Sequence, residues 1–305
     1  MIQATETIWL NGKLIPWHEA KIHILTHTLH YGGGAFEGIR IYPAVQGPAI
    51  FRLEEHVERF FYSCVSLKMP ITNSQTEISD AIKNVVRSNQ LTHGYIRPIA
   101  FYGYGNMKLD PVNSPVEVAI ACWPWGAYLP HQNIDIKTSR YIRIHPESTI
   151  SDAKLCGHYV NSILATLDLQ GTHYHEALFL DANGYIAEGT GENFFMIKDK
   201  VIYTPKLGGI LAGITRHTVI QLAQGLGLQV IETDLKPEDA YAADECFFTG
   251  TAAEVTPIRS IDDKAVGDGT AKITEQIREA YFDVVHGRNA KFLKYLSAVQ
   301  ETEKI

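Results

Sequence analysis

Apolar positions along the chain fall into short runs whose spacing switches repeatedly between a strand period of two and a helical period of 3.6. "TIWLNGKLIPW" (residues 7–17) reads as two apolar strands joined at Asn11-Gly12, a favoured tight turn. Val57, Phe60, Phe61, Cys64 and Val65 recur at helical spacing and predict a helix from Leu53 to Lys68. Ser74-Gln75-Thr76-Glu77 is a capping box, opening a helix with Ile78, Ala81, Ile82, Val85 and Val86 on one face. "YIRPIAFY" (95–102) and "VEVAIACW" (116–123) are strand-like, so the first half is an α+β unit.

"PWGAYLPHQN" (124–133), rich in Pro and Gly between strand patterns, marks the connection to a second domain. The division expected is a small N-terminal domain over 1–123, a loop over 124–135 and a larger C-terminal domain over 136–305. In the second half a helix is predicted over Tyr159 to Leu169 and a strand over Glu176 to Leu180. Asn183-Gly184 turns the chain into "YIAEGTGENFFMI", and Lys198-Asp199-Lys200 makes another hairpin. A helix starts near Thr215, strands follow at Gln229 to Thr233 and in "ECFFTG" (245–250), and a last helix spans Thr270 to His286. The polar tail after Arg288 is expected to fray. Strands that return through tight turns predict an α+β (mixed α/β) fold with mixed or antiparallel sheets, not a doubly wound parallel one. No GxGxxG or GxxxxGK[ST] occurs, so neither a dinucleotide site nor a P-loop is supported.

Composition narrows the function. The chain has 305 residues, enough for two domains, with 20% charged and 45% hydrophobic residues as in ordinary globular proteins. Asp and Glu number 34 against 27 Lys and Arg, without basic blocks, which argues against a nucleic-acid or membrane-surface partner. Four scattered cysteines without a CxxC pair suit a reduced cytoplasmic protein. Cys156 lies two residues from Lys154 and is read as packing. The 13 histidines show no HExxH or similar spacing, so no metal is expected. The start lacks a basic stretch followed by an apolar one, and no apolar run approaches the roughly 20 residues of a membrane helix.

Six local patterns bear on chemistry. Lys154 stands among small and apolar residues in "SDAKLCGHYVNS" (151–162) and is either a solvated charge or a nucleophilic amine. "HYGGGAFEGIR" (30–40) holds three consecutive glycines, which permit close backbone approach or form a plain flexible loop. In "GYIRP" (94–98), Tyr95 and Arg97 share a strand face, suited to a carboxylate or simply to the surface. "GITRHTVI" (213–220) offers the amides of Ile214 and Thr215 at a helix start, and "FFTGTAAEVTP" (247–257) offers a second amide-rich turn. Together these two make a phosphate cradle a stronger reading than either alone. Glu188, in "AEGTGENFF" (187–195), either caps a turn or pairs with a buried cation.

In combination, these residues resemble the branched-chain amino-acid aminotransferases, a family of pyridoxal-phosphate enzymes of fold type IV. The matching pieces are "HYGGGAFEGIR", "RLEEHVER", "YIRP", "PWGAY", "AKLCGHY", "EGTGEN", "GITR" and "TGTAAEVTP", in family order from about residue 8 to about 290. The resemblance implies that Lys154 forms the internal aldimine with pyridoxal 5′-phosphate and that Glu188 pairs with the pyridine nitrogen. It assigns the phosphate to Arg59, the Ile214 and Thr215 amides and the Thr251 hydroxyl, the ring hydroxyl to Tyr159, and the ring face to Leu211. Tyr95 with the Thr251 and Ala252 amides would receive the α-carboxylate, and Arg97 the distal carboxylate of glutamate. Tyr31, Phe36, Met107, Leu109, Trp125 and Tyr128 would form the side-chain pocket.

The implied reaction passes the amino group of L-leucine, L-isoleucine or L-valine to 2-oxoglutarate. A D-amino-acid aminotransferase and an aminodeoxychorismate lyase of the same fold are the alternatives. The family also implies a homodimer as the minimal unit, in some members assembled into hexamers. The chain departs from the family pattern where Cys156 replaces a common glycine, at His158 and in the "GNMKLDP" loop (105–111).

Overall fold

Asn11 and Gly12 take φ values of 47° and 91°, closing the expected hairpin of β1 (Thr7–Leu10) and β2 (Lys13–Pro16). The structure is a computed structural model and describes residues 2–126, 129 and 133–300. After the hairpin come α1 (His27–Tyr31), β3 (Gly34–Phe36), β4 (Ile39–Ala44), β5 (Gly47–Phe51), α2 (Leu53–Ser66), α3 (Gln75–Ser88), β6 (Gly94–Tyr102) and β7 (Val116–Trp123). The strands form an antiparallel sheet in the order β5-β4-β6-β7-β1-β2, with β3 also paired to β6.

The two predicted helices cover this sheet because their apolar faces match it. Val57, Phe60 and Cys64 of α2 and all five predicted residues of α3 bury against Ile39, Ile41, Ile96 and Ile120. The capping box is formed: the Ser74 hydroxyl accepts from the Glu77 amide, and the Glu77 carboxylate accepts from the Ser74 amide at 2.7 Å. Val65 is a correction, since it lies 71% exposed. At 100° per residue it stands about 80° around the helix from Val57, at the edge of the apolar stripe.

The tail is a second correction. Residues Ala290–Tyr295 form a 3₁₀ helix, and a strand at Leu296–Ala298 pairs antiparallel with β5. Composition hides this because an edge strand is held by backbone bonds, here extended by Arg52 N–H to the Tyr295 carbonyl at 2.7 Å.

Two compact units result. The first comprises Met1–Gly126, Ala153–Gly157 and Asp283–Ile305, and the second Ala127–Asp152 and His158–Phe282. The chain thus passes from one unit to the other four times, at 126/127, 152/153, 157/158 and 282/283.

The second unit contains β8 (Ile134–Thr138), α4 (Tyr159–Leu167), β9 (Glu176–Leu180), β10 (Ile186–Gly189), β11 (Asn193–Lys198), β12 (Val201–Pro205), α5 (Ile214–Gly225), β13 (Val230–Thr233), α6 (Pro237–Tyr241), β14 (Glu245–Gly250) and β15 (Glu254–Ile261). Its sheet runs β10-β9-β8-β15-β14-β11-β12-β13. The β8–β9, β8–β15 and β12–β13 pairs are parallel and the hairpins antiparallel, the mixed topology that the turn spacing predicts.

Candidate active site

Lys154 belongs to the first unit, on a short extended segment whose flanking residues are core. Ala153 and Leu155 are buried in the same cluster as the α2 and α3 faces. Leu155 bridges to Ala35, and the Lys154 backbone is tied on both sides. Its N–H donates to the Ser63 hydroxyl at 2.9 Å, and its carbonyl accepts from Phe36 N–H at 3.1 Å. Nζ lies 5.2 Å from the centre of the Phe36 ring. Lys154 is half-buried and its backbone is fixed, so the amine springs from a rigid point. The glycine run explains the anchoring: a Cβ on Gly32 (φ 69°) would stand 2.9 Å from the Gly157 Cα, whose amide donates to the Gly32 carbonyl. Of the two readings of the triple glycine, close backbone approach is the observed one.

Beside this segment stands a charged cluster that pattern reading passed over. Glu37 is fully buried and accepts from Arg59 Nε at 2.6 Å, Arg59 Nη2 at 3.0 Å and His56 Nδ1 at 2.7 Å. Burial alone would raise its pKa, but the Arg59 and His56 contacts outweigh that and hold the carboxyl well below the usual range. Burial keeps His56 below its ordinary value against the pull of Glu37, so at neutral pH Arg59 carries the countercharge. Arg59, the predicted phosphate ligand, is therefore oriented by Glu37 through two parallel bonds.

Tyr95 and Arg97 share a face of β6 as expected. The Arg97 guanidinium lies 4.8 Å from the Phe36 ring centre and 5.5 Å from that of Tyr95. Its Nε is buried without a hydrogen-bond partner among the described residues. Trp125 packs edge-on to Tyr95 with centroids 4.6 Å apart. Tyr31 donates to the Met107 carbonyl at 3.1 Å, while Leu109 stands exposed on the same loop. Tyr128 lies outside the described residues. Cys156 packs against Gly34, and burial pushes its thiol up to about 11, so it is a neutral packing group at pH 7.

In the second unit Glu188 is the centre. It lies buried on β10, and Oε1 accepts from Arg143 Nε. Oε2 accepts from Asn193 Nδ2 at 3.2 Å and from the Leu211 amide at 3.1 Å. Arg143 also donates through Nη2 to the Ser151 carbonyl at 3.1 Å. Of the two readings of Glu188, the buried partner of a cation is the observed one. Ile214 and Thr215 open α5 directly after Gly213, which has no side chain of its own to cap the turn. Thr251 and Ala252 sit in the turn joining β14 to β15, and Tyr159 opens α4. His158 Nε2 shares a 2.7 Å hydrogen bond with the Thr149 hydroxyl.

Glu37, His56, Arg143 and Asn193 are the site-forming residues missed from sequence. Glu37, His56 and Asn193 lie inside quoted motifs, whereas Arg143 is 45 residues from its partner and carries no local signal.

A lysine held by its backbone, a buried carboxylate fixed by three donors and a helix that opens at Gly213 are features with relatives. The family profile described as "Amino-transferase class IV" matches residues 34–261. The chain belongs to the class IV aminotransferases. Among curated members, the branched-chain-amino-acid aminotransferase of Pseudomonas aeruginosa PAO1 is 45% identical over 298 residues, covering 96% of this chain and 97% of that one. The crystal structure of a branched-chain amino acid aminotransferase from T.th., complexed with N-(5′-phosphopyridoxyl)-L-glutamate, aligns with a TM-score of 0.94 at 44% identity. That match covers 97% of this chain and 99% of the other. The same enzyme complexed with 4-methylvaleric acid aligns with a TM-score of 0.93 at 43% identity over 97% and 99% of the two chains. As a class IV aminotransferase, the protein is an enzyme of amino-group transfer.

Proposed function

We propose that this aminotransferase uses pyridoxal 5′-phosphate to move the amino group of L-leucine, L-isoleucine or L-valine reversibly to 2-oxoglutarate. The observation that carries this reading is Arg97: a guanidinium against aromatic rings, with one buried donor unpartnered among the described residues. Aromatic surroundings suit an aliphatic side chain, and the unspent donor suits the distal carboxylate of glutamate. The relatives complexed with a glutamate adduct and with a branched aliphatic acid support the same pair of ligands.

The residues of each unit fit the cofactor. A carboxylate buried and fixed by three donors, as Glu188 is, suits a protonated pyridine nitrogen. The N-terminal end of α5, with Ile214, Thr215 and the Thr251 hydroxyl, suits a phosphate because the helix dipole favours an anion there. Arg59, held by Glu37 through two of its five donors, would add a guanidinium. When bound, the cofactor supplies the electron sink for the bond-breaking step. Lys154 would hold it through its amine and would take the proton from the substrate Cα. Tyr159 is assigned to the ring hydroxyl and Leu211 to the ring face. Tyr95, with the Thr251 and Ala252 amides, would bind the α-carboxylate. Phe36, Tyr31, Met107, Leu109 and Trp125 would enclose the side chain.

Arg97→Leu tests the reading directly. It is expected to lower kcat/KM for glutamate and 2-oxoglutarate by roughly 10²- to 10³-fold, as for loss of a buried charge partner, while leucine changes little. Equal losses for both substrate types would refute the role of Arg97. Running the same panel with D-leucine and with aminodeoxychorismate separates the two alternative activities of this fold.

The working unit is proposed to be a homodimer in the cytoplasm. Val160, Ile163, Leu164 and Leu167 form one face of α4, each at least 40% exposed. Charging that face with Ile163→Lys and Leu167→Lys is expected to yield monomers by light scattering. A dimer of unchanged mass would place the interface elsewhere. No helix among the described residues is long and apolar enough to cross a membrane.

A further inference from the structure

We propose that Asn193 is a positioning residue that sets the Glu188 carboxylate and the entrance of α5 at one fixed spacing. The proposal rests on the assignment of Glu188 to the cofactor ring and of Ile214 and Thr215 to its phosphate. Asn193 stands directly opposite Glu188 in the β10–β11 pairing, so the two side chains share a sheet face. Its Nδ2 carries two hydrogens, and both are used. One goes to Glu188 Oε2 at 3.2 Å and the other to the Leu211 carbonyl at 3.0 Å. The Leu211 amide donates to the same Oε2 at 3.1 Å, which closes a ring of three residues around one carboxylate oxygen. Asn193 is itself buried, so the amide orientation is fixed by these partners.

The other end of the amide meets α5. Gly213, the residue before the helix, has φ −67° and ψ 131°, a conformation open to any amino acid. It is glycine for want of space: a Cβ there would lie 1.9 Å from Asn193 Oδ1 and 3.1 Å from the Arg216 Cβ. The amide nitrogen of Asn193 therefore places Glu188 and Leu211, while its oxygen sets how closely the α5 entrance approaches. Neither the ring contact nor the phosphate contact can shift without the other. The "GEN" and "GITR" motifs are parts of one device.

The test uses the full-length apoprotein titrated with pyridoxal 5′-phosphate and with pyridoxal. Pyridoxal affinity reports the ring contact, and the ratio of the two affinities reports the phosphate contact. Asn193→Ala is expected to weaken pyridoxal binding by roughly tenfold or more, from loss of a hydrogen bond to a charged group, and to lower the affinity ratio as well. Gly213→Ala, which leaves Asn193 in place, is expected to lower both quantities too. In the double variant the Gly213→Ala change should add less than about twofold, because the obstructing oxygen is gone.

A loss confined to one quantity, no loss in either, or full additivity of the two changes overturns the proposal. Asn193→Asp keeps the size but faces Glu188 with a like charge, and wild-type affinity in that variant would overturn it too. If the wild-type protein itself fails to prefer pyridoxal 5′-phosphate to pyridoxal, the cofactor assignment falls and this proposal with it. Normal wild-type preference alongside an unaffected Asn193→Ala removes only the role of Asn193. Melting temperatures taken in parallel distinguish a fall in affinity from general unfolding, since a structural role alone leaves the affinity ratio unchanged.

Discussion

Lys154→Ala is expected to abolish transamination and the visible absorbance that a bound cofactor gives when joined to this amine, while the protein still folds. Folding survives because the segment is held by its backbone and by Ala153 and Leu155, none of which depends on the amine. Loss of proton transfer alone removes roughly 10²- to 10⁴-fold in rate, and loss of the covalent anchor comes on top of it. Lys154→Arg is expected to fail as well, since a guanidinium keeps its charge and cannot serve as a base. Single-turnover assays with leucine, read beside absorption spectra, check both variants. Turnover in Lys154→Ala near the wild-type rate would refute the assignment.

The second large effect belongs to stability. Glu37→Gln leaves Arg59 and His56 around a buried site without its negative charge. Removing one partner from such a site costs about 3–5 kcal/mol. The pH dependence has a fixed sign. The Glu37 carboxyl is held below its ordinary value in the folded state, so its contribution is complete above about pH 4.5 and declines on acidification. His56 is held below about 6.5 and resists protonation when folded, so it too withdraws stability as pH falls below that value. Urea unfolding of wild type and Glu37→Gln should differ most near neutral pH and converge in acid. A gap that widens in acid would contradict the pairing.

Much of this was legible in the sequence, for physical reasons that differ by element. The Asn11-Gly12 hairpin and the Ser74–Glu77 box are local, and a few neighbouring side chains decide them. The buried face of α3 follows from a period that the helix enforces. Lys154, Glu188, Arg59 and the two amide-rich turns were picked out by motif. What they touch was not, because partnership is set by folding. Arg59 meets Glu37 across 22 residues, and Glu188 meets Arg143 across 45. Likewise nothing local to Gly213 tells that it is small for the sake of Asn193. The tail failed for a related reason, since its strand is specified by an open edge on β5 more than by its own side chains.

That edge bears on how the protein is made. Residues 47–51 leave the ribosome early, whereas the strand that covers them, Leu296–Ala298, is translated about 245 residues later. At about 5–20 residues per second, the rim of the first sheet waits roughly 10–50 s for its last neighbour. During that interval Ala49, Ile50 and Phe51 present an unpaired apolar border, the kind of surface on which nascent chains join one another. Slow synthesis, or premature termination upstream of Leu296, should therefore show first as insoluble product, before any defect in the chemistry of the finished enzyme can be measured.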